Sequence, residues 1–455
     1  MTQSFDTWTV VILAAGQGKR MRSSLPKVLH SLAGRPMVRY VVDAAREAGF
    51  ARCIVVVGAS ADGVRAALED NVTYVMQPEP LGTGHALAQA QDAAGAAEHI
   101  LVLNGDVPLI TPRTLSALAR AHEEQSADLT FLTARVPEAG EYGLVERDGQ
   151  GRVTGVVEAP ERPAATEGPA EINSGQYCFR AAWVWPRLSR IRPASSGELY
   201  LTSLIPMAVE EGAALLSVPA VDPAEAQGIN DRAQLAHAEG ALRGRINYRH
   251  MLAGVTFVDP ATAYVDADVI IGPETVVESN TQLRGATVVG AACVIGPNSV
   301  LRDAVVGDRC RIVSSTVEES TLEQDVEVGP YSHLRPGAYL CAGVHLGNFA
   351  EVKNARLGRG VKMGHFSYIG DAEVGDGANI GAGTITCNYD GESKHRTVIG
   401  RGAFIGSDTM LVAPVTVGDG ARTGAGSVVT RDVPPGASAV GAPARIVKRK
   451  DRDAS

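Results

Sequence analysis

The hydrophobic positions of this chain follow two different periods. Up to about residue 230, apolar runs of strand length alternate with segments whose apolar residues recur at helical spacing. "WTVVILAAG" is a continuous apolar run ending in glycine, the pattern of a parallel strand buried on both faces and feeding a turn. "RCIVVVG", "TYVMQ" and "HILVLNGD" are further strands of the same kind. Between them, "GRPMVRYVVDAAREAG" has Pro36 near its start, helical apolar spacing and Gly49 as its stop, and "TGHALAQAQDAAGAA" reads as helical too. This alternation predicts a doubly wound α/β domain, in which ligands sit beyond the carboxyl ends of the strands.

Residues 231–252 read as one long helix, an arm between domains. After it the period becomes six. Aliphatic residues fall at Val265, Ile271, Val277, Leu283, Val289, Ile295 and Leu301, slip in phase by one residue a few times, and resume at Leu322, Val328, Leu334, Leu340, Leu346 and Val352. Short strands joined by tight turns at this period predict a parallel β-helix, three hexads to a triangular coil, with one aliphatic residue pointing inward from each side. The expected domains are therefore 1–230, a linker helix 231–252, and 253–455. One stretch, "IGAGTITCNYDGESKHRTVIG" from Ile380 to Gly400, interrupts the period. The repeat resumes unchanged after it, so the insertion must loop out of the coil, and insertions in solenoids commonly mark a binding face.

Composition narrows the function classes. A net charge of −9 over 455 residues disfavours a nucleic-acid partner, which wants a basic face. Only the tail "RIVKRKDRD" is locally basic, and a solvated terminus accounts for it. No apolar run reaches the roughly eighteen residues of a membrane span. The N-terminus lacks the charged segment of a secretory leader. Six scattered cysteines without a CxxC pair suit reduced thiols and a cytoplasmic protein.

Candidate chemistry begins after the first strand. "LAAGQGKRM…LPKVLH" carries Gly16 and Gly18, but Met21 stands where a dinucleotide fingerprint has its third glycine, and Arg20 follows Lys19 where a Walker loop has Ser or Thr. A loop rich in backbone N–H groups with Arg20 and Lys27 suits a triphosphate whose pyrophosphate must leave. Asp106, just past a strand, is placed to hold Mg²⁺ on phosphates, and Asn230 adds a second oxygen. Taken singly, the glycines equally fit a tight strand–helix turn, Asp106 a helix cap and Asn230 an Asx cap. In the repeat, Arg335, Lys353 and Lys394 could together hold a phosphate, and His365 is a candidate base. A lone corner histidine is, by itself, more often a solvated surface residue.

The motifs "LAAGxGxRM…PK", "QPEPLGTGHA", "NGDVPL", "GVVE", "INSG" and "GIND", followed by a hexapeptide domain, closely resemble the family of bifunctional bacterial N-acetylglucosamine-1-phosphate uridylyltransferase/glucosamine-1-phosphate N-acetyltransferases, over nearly the whole chain. The resemblance implies a left-handed β-helix and two reactions. Acetyl-CoA would acetylate glucosamine-1-phosphate, and N-acetylglucosamine-1-phosphate would then attack the α-phosphate of UTP. It assigns Leu13, Ala14, Ala15, Gly16 and Lys27 to UTP, with Arg20 at the phosphates. Gln77, Gly82 and Thr83 would read the uracil, and Asn104 and Gly105 flank the metal-holding Asp106, which works with Asn230. Some relatives carry Tyr at the position of Asn104. Gly143, Glu158 and Asn173 would hold the sugar.

For the second reaction the resemblance makes His365 the general base and places Arg335, Lys353, Tyr368, Asn379 and Lys394 at the amino sugar phosphate. Ala382, Asn388, Tyr389, Ser407 and Ala425 would line the acetyl-CoA site. Many relatives have Arg near position 442, where this chain has Ala442, with Arg445 as the substitute; Cys387 has no assigned role. Hexapeptide β-helices of this kind are typically trimers, and the insertion could cover a neighbouring subunit's groove. Two rival readings are a monofunctional nucleotidylyltransferase with a purely assembling β-helix, and a non-catalytic regulatory protein.

Overall fold

Four of the apolar runs form parallel strands: β1 (Trp8–Ala14), β2 (Cys53–Val57), β3 (Thr73–Met76) and β4 (His99–Asn104), ordered β4–β1–β2–β3. They belong to a computed structural model that describes residues 4–16, 18–59, 61–68, 72–162 and 168–447, so the basic tail from Lys448 onward lies outside the described residues. Alternate side chains of these strands enter two different cores. Val10, Ile12, Val55 and Leu103 pack with Val38, Val41 and Val42 of α1 (Met37–Glu47). Val11, Ile54, Val56 and Val102 pack with Ala86 and Leu87 of α2 (Thr83–Gln89) on the other face. Both faces are covered, which is why the strands read as unbroken apolar runs.

The nine-stranded sheet does not stay parallel. Three later strands, β5 (Leu129–Val136), β6 (Ala170–Arg180) and β7 (Leu215–Pro219), extend it beyond β4 in the order β4–β6–β5–β7; β6 runs antiparallel to both β4 and β5. An apolar run reads the same in either direction, so the periodicity could not reveal this reversal. The β6 ladder shifts register between Asn173 and Tyr177, a bulge beside the end of β4.

The expected long helix is α3, Arg232–Leu252. Its first turn is held by Asp231, whose carboxylate accepts from Gln234 N at 2.8 Å, and not by Asn230. The chain divides into two compact units, Met1–Leu242 and Arg243–Ser455, so the division falls within this helix.

In the second unit the six-residue period becomes strands two to four residues long, stacked into three sheets of twelve, ten and nine strands. Each coil pairs in parallel register with the next, which is the left-handed parallel β-helix of hexapeptide proteins. Where the sequence phase slips, Leu301, Val306, Ile312, Val317 and Leu322 remain buried, so the slips shorten corners and leave the inward positions intact. Several corners admit only glycine. A Cβ on Gly381 would lie 2.6 Å from Ser407 N of the next coil, and one on Gly406 2.6 Å from Thr423 O.

The insertion does leave the coil. Ile385–Cys387 still pairs with Met410–Val412, and Thr397–Ile399 rejoins the adjacent sheet. Between them a small hairpin closes on itself through a Tyr389–Lys394 bridge and His395 N to Asn388 O at 2.7 Å. Asp390 accepts from Glu392 N and Ser393 N, both at 2.8 Å, and pairs with His395. Among the described residues, no helix is long and apolar enough to cross a membrane.

Neighbouring rung positions should differ sharply in cost. Ile271 is 6% exposed and Ile270 60% exposed. Ile271→Ala should destabilise the unit by about 2–5 kcal/mol in denaturant unfolding, whereas Ile270→Ala should stay within about 0.5 kcal/mol.

Candidate active sites

The carboxyl edge of the parallel strands opens into a cleft of about 500 Å³. Strand β1 brings Leu13, Ala15 and Gly16 to it; the turn after β3 brings Gln77; the start of α2 brings Gly82 and Thr83; the end of β4 brings Asn104 and Asp106. Arg20, Lys27 and Asn230 complete this wall. An adjoining lobe of about 390 Å³ adds Gly143, Glu158 and Asn173. Two expected residues contribute differently. Ala14 is buried in the core, and Gly105 is spent on a backbone bond to Leu13 O at 2.9 Å, so neither lines the cleft with a side chain.

Lys27 joins the two candidate metal ligands. Its ammonium is paired with Asp106 Oδ2 and donates to Asn230 Oδ1 at 3.0 Å. Asn230 is fixed in turn by its own N–H, which donates to Gln234 Oε1 at 2.6 Å. Two hard oxygens 124 positions apart in sequence, from Asp106 and Asn230, thus converge on one cation, the donor set that Mg²⁺ prefers. Arg20 is bound elsewhere, in an ion pair with Glu141 at the surface of the cleft.

The rest of the wall is preset by small contacts. Gln77, 5% exposed, donates to Gly82 O at 3.2 Å. Gly82 has φ 107°, and a Cβ there would meet Leu199 N at 2.6 Å, so this turn requires glycine. Asn104 Nδ2 donates to Gly175 O at 3.3 Å within the β6 bulge, which explains why that strand departs from its ladder here. Asn173 donates to the Tyr177 hydroxyl at 2.7 Å. Burial raises the Glu158 carboxyl above its ordinary range, against the opposing pull of a 2.8 Å bond from Thr202 Oγ1.

In the β-helix, five expected residues gather on one outer sheet and the insertion beside it. Arg335, Lys353 and Tyr368 stand on successive rungs, and Asn388 Nδ2 donates to the Tyr368 hydroxyl at 3.4 Å and to Asp371. The Lys353 ammonium is held below its ordinary pKa, first by Lys394 and then by Arg335, so the three cations share one small region. Arg335 also pairs with Glu351 at 2.8 Å. Asn379 does not join them; its rung belongs to the neighbouring sheet, paired with Lys362 and Phe404.

His365 lies exposed at the corner between those two sheets. Tyr368, Ile385, Met410 and Val428 pair in sequence along one sheet. The residues three positions before them are His365, Ala382, Ser407 and Ala425. The expected base and three expected acetyl-CoA residues therefore share one corner position in four consecutive coils. Tyr389 is 60% exposed on the hairpin, and Arg445 is exposed on the antiparallel strand Arg445–Val447 that ends the helix. Burial raises the Cys387 thiol above its usual pKa, which argues against a nucleophile.

Some residues of these sites escaped the sequence reading. Glu141, Glu351 and Asp371 are acids that hold Arg20, Arg335 and Asn388. Arg232 reaches back from α3 to Met21 O at 3.3 Å and His30 Nδ1 at 3.2 Å, and Glu239 accepts from Ala33 N at 2.8 Å. No motif marks such partners: Arg232 and Glu239 lie more than 200 residues from the groups they hold, and Glu351 and Asp371 lie one coil away, 16 and 17 residues from theirs.

Residues 9–223 match the nucleotidyl transferase family, and residues 396–431 match the six-repeat bacterial transferase hexapeptide family. Curated relatives carry the name Bifunctional protein GlmU. The one from Trichlorobacter lovleyi is 45% identical over 443 residues, 96% of either chain. Those from Pelobacter propionicus and Brevibacillus brevis are 46% and 45% identical, over 94% and 96% of this chain and 95% of their own. At such identity over nearly its whole length, this chain belongs to the bifunctional GlmU family.

Proposed function

We propose that the chain makes UDP-N-acetylglucosamine in two steps, acetylating glucosamine-1-phosphate with acetyl-CoA in the β-helix and then joining the product to UTP in the α/β unit. The observation that carries this reading is that each compact unit holds its own polar cluster, one built around Lys27, Asp106 and Asn230 and one around Lys353, Lys394 and Tyr368. A purely assembling β-helix has no need of the second cluster, and a non-catalytic protein has no need of either.

In the uridylyl step, the backbone of Leu13–Gly16 and the cations Arg20 and Lys27 receive the triphosphate. Gln77, Gly82 and Thr83 form the base end of the cleft, where preset glycine geometry and fixed amide donors can tell one base from another. Gly143, Glu158 and Asn173 hold the sugar, so its phosphate oxygen faces the α-phosphorus. That oxygen forms a bond to phosphorus as the bond to pyrophosphate breaks, and Arg20 and Lys27 offset the charge on the leaving group. Asp106 and Asn230 would hold Mg²⁺, which would supply charge neutralisation of the reacting phosphates.

In the acetyl step, Arg335, Lys353 and Lys394 take the sugar phosphate. His365 removes a proton from the 2-amino group, whose nitrogen attacks the thioester carbonyl and expels the thiolate of coenzyme A. The corner column running from His365 through Ala382, Ser407 and Ala425 supports a pantetheine chain lying along that edge, toward Arg445. Because Asn379 sits on the adjacent sheet, a second copy would be needed to bring it to the cation cluster; this supports a homotrimer whose subunits complete one another's sites. The six free cysteines support work in a reducing cytoplasm.

Arg232 is a positioning residue in this reading, since it grips the segment that carries Lys27 at Met21, next to Arg20, and at His30 without lining the cleft. Arg232→Met should raise KM for UTP about tenfold while changing kcat much less, with partial recovery in Arg232→Lys. Equal losses in kcat alone would contradict that role.

The two activities should separate. His365→Ala should lower acetyl transfer by about 10²–10⁴-fold, followed by free-thiol release, and leave uridylyl transfer intact. Asp106→Ala should lower uridylyl transfer by about 10²-fold or more, followed by pyrophosphate release, and spare acetyl transfer. Loss of both activities in either folded variant would sink the two-site reading.

A further inference from the structure

The Lys27 ammonium and a divalent ion want the same two oxygens. Asp106 Oδ2 and Asn230 Oδ1 both accept from Lys27 Nζ, and the pair is largely withdrawn from water, with Lys27 13% and Asp106 17% exposed. Taking one partner from a partly desolvated ion pair leaves the other charge uncompensated, so the pair is not broken without something to replace it. Arg20 of the same cleft is committed to Glu141, so it and Lys27 differ in what they occupy.

We propose that Lys27 is the resident counter-cation of the Asp106–Asn230 pair, and that a divalent ion gains these oxygens only when nucleotide phosphates draw the ammonium off them. The inference rests on reading Asp106 and Asn230 as the metal ligands. A lysine suits such an exchange. Its charge sits at the end of a flexible four-carbon stem, and the stem is anchored in the short turn Lys27–Leu29, behind Pro26. One side chain thus does two things in succession. It keeps the Asp106 carboxylate compensated in the free protein, and it becomes a phosphate ligand once a triphosphate enters. The metal then arrives with the nucleotide, since the free protein offers it a site already neutralised.

The test is Mn²⁺ binding to the full-length protein, read by electron paramagnetic resonance of the free ion, with and without a non-hydrolysable UTP analogue. Binding that survives in Asp106→Asn is background, which an acidic chain will show. Without nucleotide, Lys27→Met should bind Mn²⁺ at the Asp106-dependent site about tenfold more tightly than the parent, because it removes a competing charge at contact distance. Lys27→Ala should shift the same way, and thermal melting checks that both fold. Arg20→Met removes an equal charge from the same cleft and should change nucleotide-free affinity far less. With the analogue bound, the parent should tighten and the advantage of Lys27→Met should shrink. The exchange is overturned if Lys27→Met binds no more tightly than the parent, or if Arg20→Met tightens binding as much. If Asp106→Asn leaves Mn²⁺ binding unchanged even with the analogue present, the metal-ligand reading itself fails and takes the exchange with it.

Discussion

Burial of one aliphatic side chain per hexad is the constraint on which the second unit depends. Each rung is only a few residues long and would be worthless alone. Stacking Leu322, Leu340 and Leu357 over one another removes them from water and fixes the register of every strand between them. Register is what turns a repeat into a site. Once Tyr368, Ile385, Met410 and Val428 must pair, the corner residues His365, Ala382, Ser407 and Ala425 are forced into a column, although their spacing in sequence is irregular. The insertion between Cys387 and Thr397 leaves the ladder paired on either side of it and closes on itself, while its Asn388 and Arg396 reach back to Tyr368, Asp371 and Glu373 of the coil.

The first unit solves the same problem by different means. Its parallel strands end at one edge because both faces are sealed by helices. Turns deliver Gly16 after β1, Gln77 after β3 and Asp106 after β4 to that edge. The antiparallel β6 adds a bulge whose Gly175 carbonyl holds Asn104, and the residues before the bulge include Asn173. The site is therefore assembled from backbone features that tolerate little change, with long cationic side chains laid over them. Lys27 is one of these, and its place between Asp106 and Asn230 compensates charge in a partly dry cleft.

The positioning residues form a separate layer. Glu351 steadies Arg335, Asp371 steadies Asn388, and Arg232 and Glu239 tie the segment from Met21 to Ala33 to the start of α3. That helix begins in the first unit and ends in the second, so the boundary between them is not a loop. Expecting the first domain to stop at residue 230 follows from where the strand–helix alternation ends. The turns of α3 that pack on the first unit carry no such signal, because a helix reads alike whichever body it contacts.

The sequence by itself determined the two architectures and named most of the candidate site residues. Apolar runs of strand length and periods of 3.6 and 6 are local properties, imposed by backbone geometry on which side chains meet water, and they can be read without knowing what packs on what. Arg20, Lys27, Asp106 and His365 each fit a plainer reading alone, and stood out through the motifs that surround them. Tertiary structure alone decided strand direction, as in β6, and partnership: that Lys27 spans Asp106 and Asn230, that Asn379 falls on a different sheet from Lys353, that Asp231 and not Asn230 caps α3. Those outcomes depend on distance between residues remote in the chain, and distance of that kind is set by the sum of all the packing, which no single stretch of sequence contains.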